Sequence, residues 1–238
     1  MMITHTKTFY ENVIDALHYA VSDRVSIIVI GVILTLISTM QHFEVAFTGW
    51  GIVINIILII LTLFESGYSS KIVEETVNGS TEPPIIDNAF EIFIEGINEF
   101  AIYFGYLLIA SIVTSIIYIA AAFYPQFMDF ALFLSVLISS SLFFIIQMAM
   151  VYKAHKEGGL MEGFNFKGLF RFCRKLGVWG CIFFFMASFI SQTILVSSVF
   201  NVSSLEIVAI IKFILKFTLA PISLIFSLRL MALQGKLY

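Results

Sequence analysis

Charge is what this sequence has least of. Only 12% of its 238 residues are charged, 60% are hydrophobic, and the mean hydropathy is +1.00. An ordinary soluble domain carries roughly a quarter charged residues. A soluble globule must cover its surface with polar groups, and this chain has too few, so a soluble enzyme and a disordered tail are both excluded. Cysteine is nearly absent. The two present, Cys173 and Cys181, form no CxxC and have no neighbouring histidine pair, so they read as small apolar fillers rather than a disulfide or metal site. A net charge of −3 and a pI near 5.8 leave no basic footprint for nucleic acid. Catalytic signatures are missing too. His5, His18, His42 and His155 are scattered, and no HExxH, GxSxG, Walker A or GxGxxG occurs. No paired acids, and no histidine with a nucleophile, face each other within the apolar runs. No catalytic, metal-binding or cofactor-binding residue is therefore expected.

What is abundant is apolar length. A bilayer core about 30 Å thick needs roughly 20 mostly apolar residues as helix. Six candidate spans follow: Val25–Met40, Trp50–Glu65 (continuing as polar helix to about Val77), Phe100–Phe123, Phe127–Tyr152, Val178–Phe200 and Ser203–Leu233. The runs do not alternate with period two, so barrel strands are not expected. The expected fold is an all-α, six-span transmembrane bundle forming a single integral membrane domain over residues 1–238. The polar, helix-patterned stretch before Val25 does not read as a cleavable signal peptide.

Basic residues set the orientation, because Lys and Arg favour the cytoplasmic side of short loops. Lys7 and Arg24 precede span 1, and Lys71 follows span 2. Lys153, Lys156, Lys167, Arg171, Arg174 and Lys175 lie between spans 4 and 5, and Arg229 and Lys236 close the chain. The opposite connections, Gln41–Gly49, Tyr124–Gln126 and Asn201–Val202, hold none. The expectation is a multi-pass protein of the cell membrane with both termini cytoplasmic.

An amphipathic stretch precedes each odd-numbered span. In Tyr10–Asp23, the residues Tyr10, Val13, Ile14, Leu17 and Val21 share one face; Thr8 and Glu11 have capping-box spacing. In Asp87–Glu99 the apolar set is Phe90, Phe93, Ile94 and Ile97. In Phe164–Leu176 it is Leu169, Phe170, Cys173 and Leu176. Superposing the stretches aligns Asn12, Asn88 and Asn165. This suggests a threefold repeat, with units 8–79, 87–159 and 164–235, each an in-plane amphipathic helix followed by two spans. The stretches differ in charge. Asp87, Glu91, Glu95 and Glu99 form an acidic stripe, which reads either as a solvated face or as one that meets the third stretch or a basic partner protein. Lys167, Arg171, Arg174 and Lys175 form a basic face suited to contacting inner-leaflet lipid.

Ionisable residues inside spans are the default functional candidates. Lys212 and Lys216, four apart on one face of span 6, either snorkel to the outer interface, or pair with an acid such as Asp129, or hold an anionic ligand or lipid headgroup in the bundle. Ser203 and Glu206 have capping-box spacing ahead of them, and Pro221 could kink the helix after them.

The run Tyr10-x-Asn12-x-x-Asp15-Ala16-Leu17-x-Tyr19-x-x-x-Asp23 leads to Gly31. Then come Gly67-Tyr68-x-x-x-Ile72-x-x-x-Thr76-x-x-Gly79, Glu82-x-Pro84, Asn88, Phe93 and Gly96. Over about residues 7–106 this pattern resembles the archaeal membrane family catalogued as domain of unknown function 4013. The resemblance implies a polytopic membrane protein, with glycines and prolines that shape helix ends and a loop. It brings no activity, substrate or catalytic residue. Three functional expectations stand: the first is a structural or accessory membrane component that organises lipid or a protein partner, and the second is a small transporter or lipid-handling protein with a headgroup site at Lys212 and Lys216. A membrane enzyme without a recognisable motif is the third.

Overall fold

The computed structural model describes residues 9–46, 51–156, 159–197 and 215–236. These residues are helical, with no strand among them. The helices are α1 (Phe9–Ser22), α2 (Arg24–Ala46), α3 (Gly51–Asn78), α4 (Ala89–Phe123), α5 (Met128–His155), α6 (Phe166–Ser197) and α7 (Ala220–Lys236). Among the described residues, four segments are long and apolar enough to cross a membrane: Gly51–Asn78, Ala89–Phe123, Met128–His155 and Phe217–Gly235. A fifth arises if the bent pair Phe9–Ser22 and Arg24–Ile37 is one span.

Local chemistry explains where the chain turns. Asp23 separates α1 from α2, which meet at 80°. Its carboxylate accepts from the backbone N–H of Val25 (2.9 Å) and Ser26 (3.2 Å), an N-cap that satisfies donors with no partner inside α2. In α6 the break is at Gly177, whose φ of 68° is readily adopted only by glycine. At the far end, Pro221 has no N–H to give to the Phe217 carbonyl four residues back, and the chain widens into a π-helical turn over Leu215–Leu219 before α7. Gly31 of α2 lies directly against that Phe217 carbonyl, where a Cβ would have no room.

The second amphipathic stretch is not a separate in-plane helix. Residues 89–99 continue without interruption into the following span as one 35-residue helix. At 1.5 Å per residue it is about 52 Å long, well beyond an apolar core of about 30 Å. No residue comparable to Asp23 or Gly177 breaks it. The aligned asparagines divide the same way. Asn88 caps α4 by accepting from the Glu91 N–H, and Asn165 caps α6 by accepting from the Gly168 N–H (2.9 Å). Asn12 instead lies buried within α1. Thr8, Ser203 and Glu206 lie outside the described residues.

The burial of the first two stretches is the reverse of what amphipathicity suggests in water. In α1 the inward face is Asn12, Ala16, Tyr19 and Ala20, while Tyr10 (71% exposed), Ile14, Leu17 and Val21 face out. In α4, Ile92, Gly96 and Glu99 are buried, while Phe90 (73% exposed), Ile94 and Ile97 face out. The third stretch has the ordinary sense: Leu169 and Leu176 are buried and its cations are exposed. Helix α7 lies centrally, touching α1, α2, α3, α5 and α6, and supplies Leu224, Ile225, Leu228 and Met231 to the core. Helices α3 and α4 approach backbone to backbone. Gly67 backs onto the Ile92 carbonyl and Gly96 onto the Leu63 carbonyl, so neither position has space for a Cβ.

Candidate functional site: a buried charge layer at one end of the bundle

The polar halves of α3, α4, α5 and α7 meet at one end of the molecule, together with α1. Two buried clusters are built there, one on each side of α3.

The first contains the acidic stripe. Lys153, near the end of α5, reaches both Glu95 and Glu99 of α4; its contact with Glu99 is 2.6 Å. The Ser70 hydroxyl donates to the same carboxylates, at 2.9 Å to Glu95 and 3.2 Å to Glu99. The Glu99 side chain is 2% exposed, so this is a desolvated ion pair rather than a surface one. One turn further out, Lys71 of α3 pairs with Glu91 at 2.8 Å, but there the glutamate is 61% exposed. Three acids of the stripe, Glu91, Glu95 and Glu99, therefore meet lysines of α3 and α5, while Asp87 is exposed. The stripe is neither wholly solvated nor set against the basic stretch of α6.

The second cluster is centred on Arg229 of α7. Its guanidinium donates to Asp15 (3.1 and 3.3 Å), to the Thr76 hydroxyl (3.1 Å) and to the Ser80 carbonyl (2.7 Å). Its carbon lies 4.2 Å from the centre of the Tyr19 ring. A planar, permanently charged fork suits such multidentate contact, and an aromatic face adds cation–π attraction. Thr76 passes its own proton to the Ile72 carbonyl (2.6 Å). Beside it the buried Tyr68 hydroxyl donates to the Pro84 carbonyl (3.3 Å), tying down the α3–α4 loop, and Gly79 closes α3 at φ 94°.

This arrangement gathers the residues of the recognised sequence pattern into one place. Asn12, Asp15, Ala16 and Tyr19 form the inward face of α1. Tyr68, Ile72 and Thr76 form that of α3. Asp23, Gly79 and Asn88 shape helix ends, and Gly67 meets Gly96. Chemically, the layer joins helices distant in sequence through ion pairs and hydrogen bonds.

The other candidates are dispersed. Lys212 lies outside the described residues, and Lys216 falls in the π-helical turn Leu215–Leu219. Asp129 is an exposed residue in the first turn of α5. Lys167, Arg171, Arg174 and Lys175 are all exposed on the first segment of α6, before Gly177. Both cysteines are free thiols. Burial, with Cys181 adding to it, pushes the Cys173 thiol up to about 11, so it stays protonated and unreactive near neutral pH. Lys153 and Arg229 were not legible in the sequence as buried partners, because both read there only as cationic flanks that set the orientation. Their position was legible only as the first charge met when leaving an apolar run.

No curated protein and no solved structure matches the chain. The family model described as "Protein of unknown function (DUF4013)" matches residues 50–200, beginning later and ending later than the pattern read from the sequence. Helices apolar enough to cross a membrane, in a chain whose central 50–200 fit that model, lead to a plain conclusion: this is a membrane protein of the DUF4013 family.

Proposed function

We propose that the chain is a multi-pass structural or accessory component of the cell membrane, with both termini on the cytoplasmic side. Its cytoplasmic face organises lipid or a protein partner. In this reading α2 and the part of α6 after Gly177 complete six spans, and the units 8–79, 87–159 and 164–235 descend from one repeated pattern. The matching caps at Asn88 and Asn165 support the repeat, as do the breaks at Asp23 and Gly177.

One observation carries the functional reading. The basic groups buried in the charge layer are committed to acceptors of the same chain: Lys153 to Glu95 and Glu99, and Arg229 to Asp15, Thr76 and Ser80. A transport or catalytic site needs an ionisable group that can release its partner to bind or exchange something. Here each partner is a helix neighbour, and its release would open the bundle. The exposed cations of α6, flanked by the exposed Phe166 and Phe170, are placed to meet anionic lipid, at about 1 kcal/mol per charge near the surface.

Complementation separates these roles. In a deletion strain with a measurable phenotype, the triple replacement Lys153→Met, Glu95→Leu and Glu99→Leu should restore function as well as the parent chain, because an apolar layer of similar volume can hold the same helices. A variant that accumulates and folds normally but fails to complement would mean that the ions act chemically, and the accessory reading would fall.

A further inference from the structure

Resting on the lipid-facing role of α6, we infer that the cytoplasmic end of the bundle holds a discrete binding site for one phosphate group. The site is a cavity of about 260 Å3 where the end of α5, the first segment of α6 and the last turn of α7 converge. Lys156, Arg171 and Lys175 border it, and among the described residues no carboxylate does. That sets it apart from the neighbouring charge layer, where Lys71, Lys153 and Arg229 each meet an acid of this chain. Among the described residues, no carboxylate lies within ion-pair distance of Lys156, Arg171 or Lys175.

Like charges four apart on a helix repel, as Arg171 and Lys175 do, and a third cation brought in from α5 adds to the repulsion. The C-terminal dipoles of α5 and of the first segment of α6 offset part of this for Lys156, which caps α5, and for Lys175, two residues before the break at Gly177, but not for Arg171. An anion in the cavity removes the imbalance. Arginine and lysine together favour phosphate, because the guanidinium can grip two oxygens while the ammonium acts as a point charge.

Close packing fixes the walls of the cavity. Gly168 and Gly235 both line the cavity. A Cβ on Gly168 would strike the Tyr152 hydroxyl, and one on Gly235 would strike Val151. The volume is just under the roughly 300–1,000 Å3 of pockets for drug-sized ligands, which fits a headgroup-sized occupant. The phosphate could come from an anionic lipid headgroup or from free phosphate.

The test uses the purified full-length chain in neutral detergent, with its unfolding midpoint and saturable binding followed against three probes: dihexanoyl phosphatidic acid, dihexanoyl phosphatidylcholine and inorganic phosphate. Phosphatidic acid should raise the midpoint with a saturable dose response, and phosphatidylcholine should not. An equal response to inorganic phosphate would identify the free ion as the source; a response to phosphatidic acid alone would identify the headgroup. The pair Arg171→Gln and Lys175→Gln should weaken binding at least tenfold. The pair Lys167→Gln and Arg174→Gln removes the same charge outside the cavity and should change it less than threefold. Lys156→Gln alone, at an exposed position, provides a separate check should the pocket pair unfold. Equal losses from the two pairs would overturn the discrete site while leaving α6 as a diffuse lipid-contacting face. No saturable response to phosphatidic acid or to phosphate would overturn the site as well, without touching the ion-paired layer or its complementation test.

Discussion

Removing the amine from Lys153 should damage the protein far more than removing the whole charge cluster. In Lys153→Met, Glu99 keeps a carboxylate that is 2% exposed and loses its counter-ion, leaving only the Ser70 hydroxyl at 3.2 Å. Breaking one side of a buried ion pair costs about 3–5 kcal/mol, because the surviving charge is stranded away from water. For a chain of this length 1 kcal/mol moves the unfolding midpoint by about 2–4 °C, so a fall of roughly 6–20 °C is expected. Adding Glu99→Leu to Lys153→Met removes the stranded charge. Glu95, 21% exposed, can turn toward water, so the double variant should recover to within about 1 kcal/mol of the parent or exceed it. Lys71→Met is the internal control. Its partner Glu91 is 61% exposed, and such a pair is worth only about 0–1 kcal/mol. Thermal unfolding of the purified proteins in one detergent, followed by circular dichroism, measures all four. If Lys153→Met is as stable as the parent, or the double variant is worse than the single one, the layer does not hold the helices in the way argued here.

The same assay bears on the other contacts. Gly96→Ala puts a Cβ into the Leu63 backbone carbonyl, which cannot rotate away, and should cost about 3 kcal/mol or more, whereas Gly159→Ala, with open space around it, should stay within about 0.5 kcal/mol. Gly177→Ala meets no neighbour, so its cost should be only the conformational one, roughly 1–3 kcal/mol, of forcing a side chain to φ 68°, ψ 177°. Arg229→Lys keeps the charge but cannot reach Asp15, Thr76 and Ser80 together; a loss of about 2–3 kcal/mol is expected, and a midpoint equal to the parent's would remove Arg229 as the junction of α1, α3 and α7.

Helicity and the long apolar runs were legible in the sequence, because both rest on local composition. So was the gathering of charged helix ends: Lys71, Lys153 and Arg229 each follow an apolar run and all reach the same layer. The facing of α1 and α4 was not. Near a bilayer the surroundings are as apolar as the core, so Tyr10, Ile14 and Leu17, or Phe90 and Ile94, mark the outward side as readily as the inward one. The pairing of Glu99 with Lys153 joins residues 54 apart, and that of Asp15 with Arg229 joins residues 214 apart; no periodicity in one sequence encodes either. The unbroken α4 could have been foreseen. Asp23 and Gly177 supply a stop between amphipathic stretch and span in the first and third units, and nothing between residues 89 and 123 does the same.

The charge layer, the cations of α6 and the proposed phosphate site all belong to one face, so which side of the membrane that face lies on decides their roles. Cys173 and Cys181 are first replaced by Ala; then Lys156→Cys or Tyr124→Cys is introduced, at the two opposite ends of α5 and its preceding turn, both exposed. A membrane-impermeant maleimide applied to intact cells should label the cysteine at 124 and reach the one at 156 only after lysis. Labelling at 156 in intact cells, with 124 silent until lysis, would contradict the orientation and every role assigned to that face.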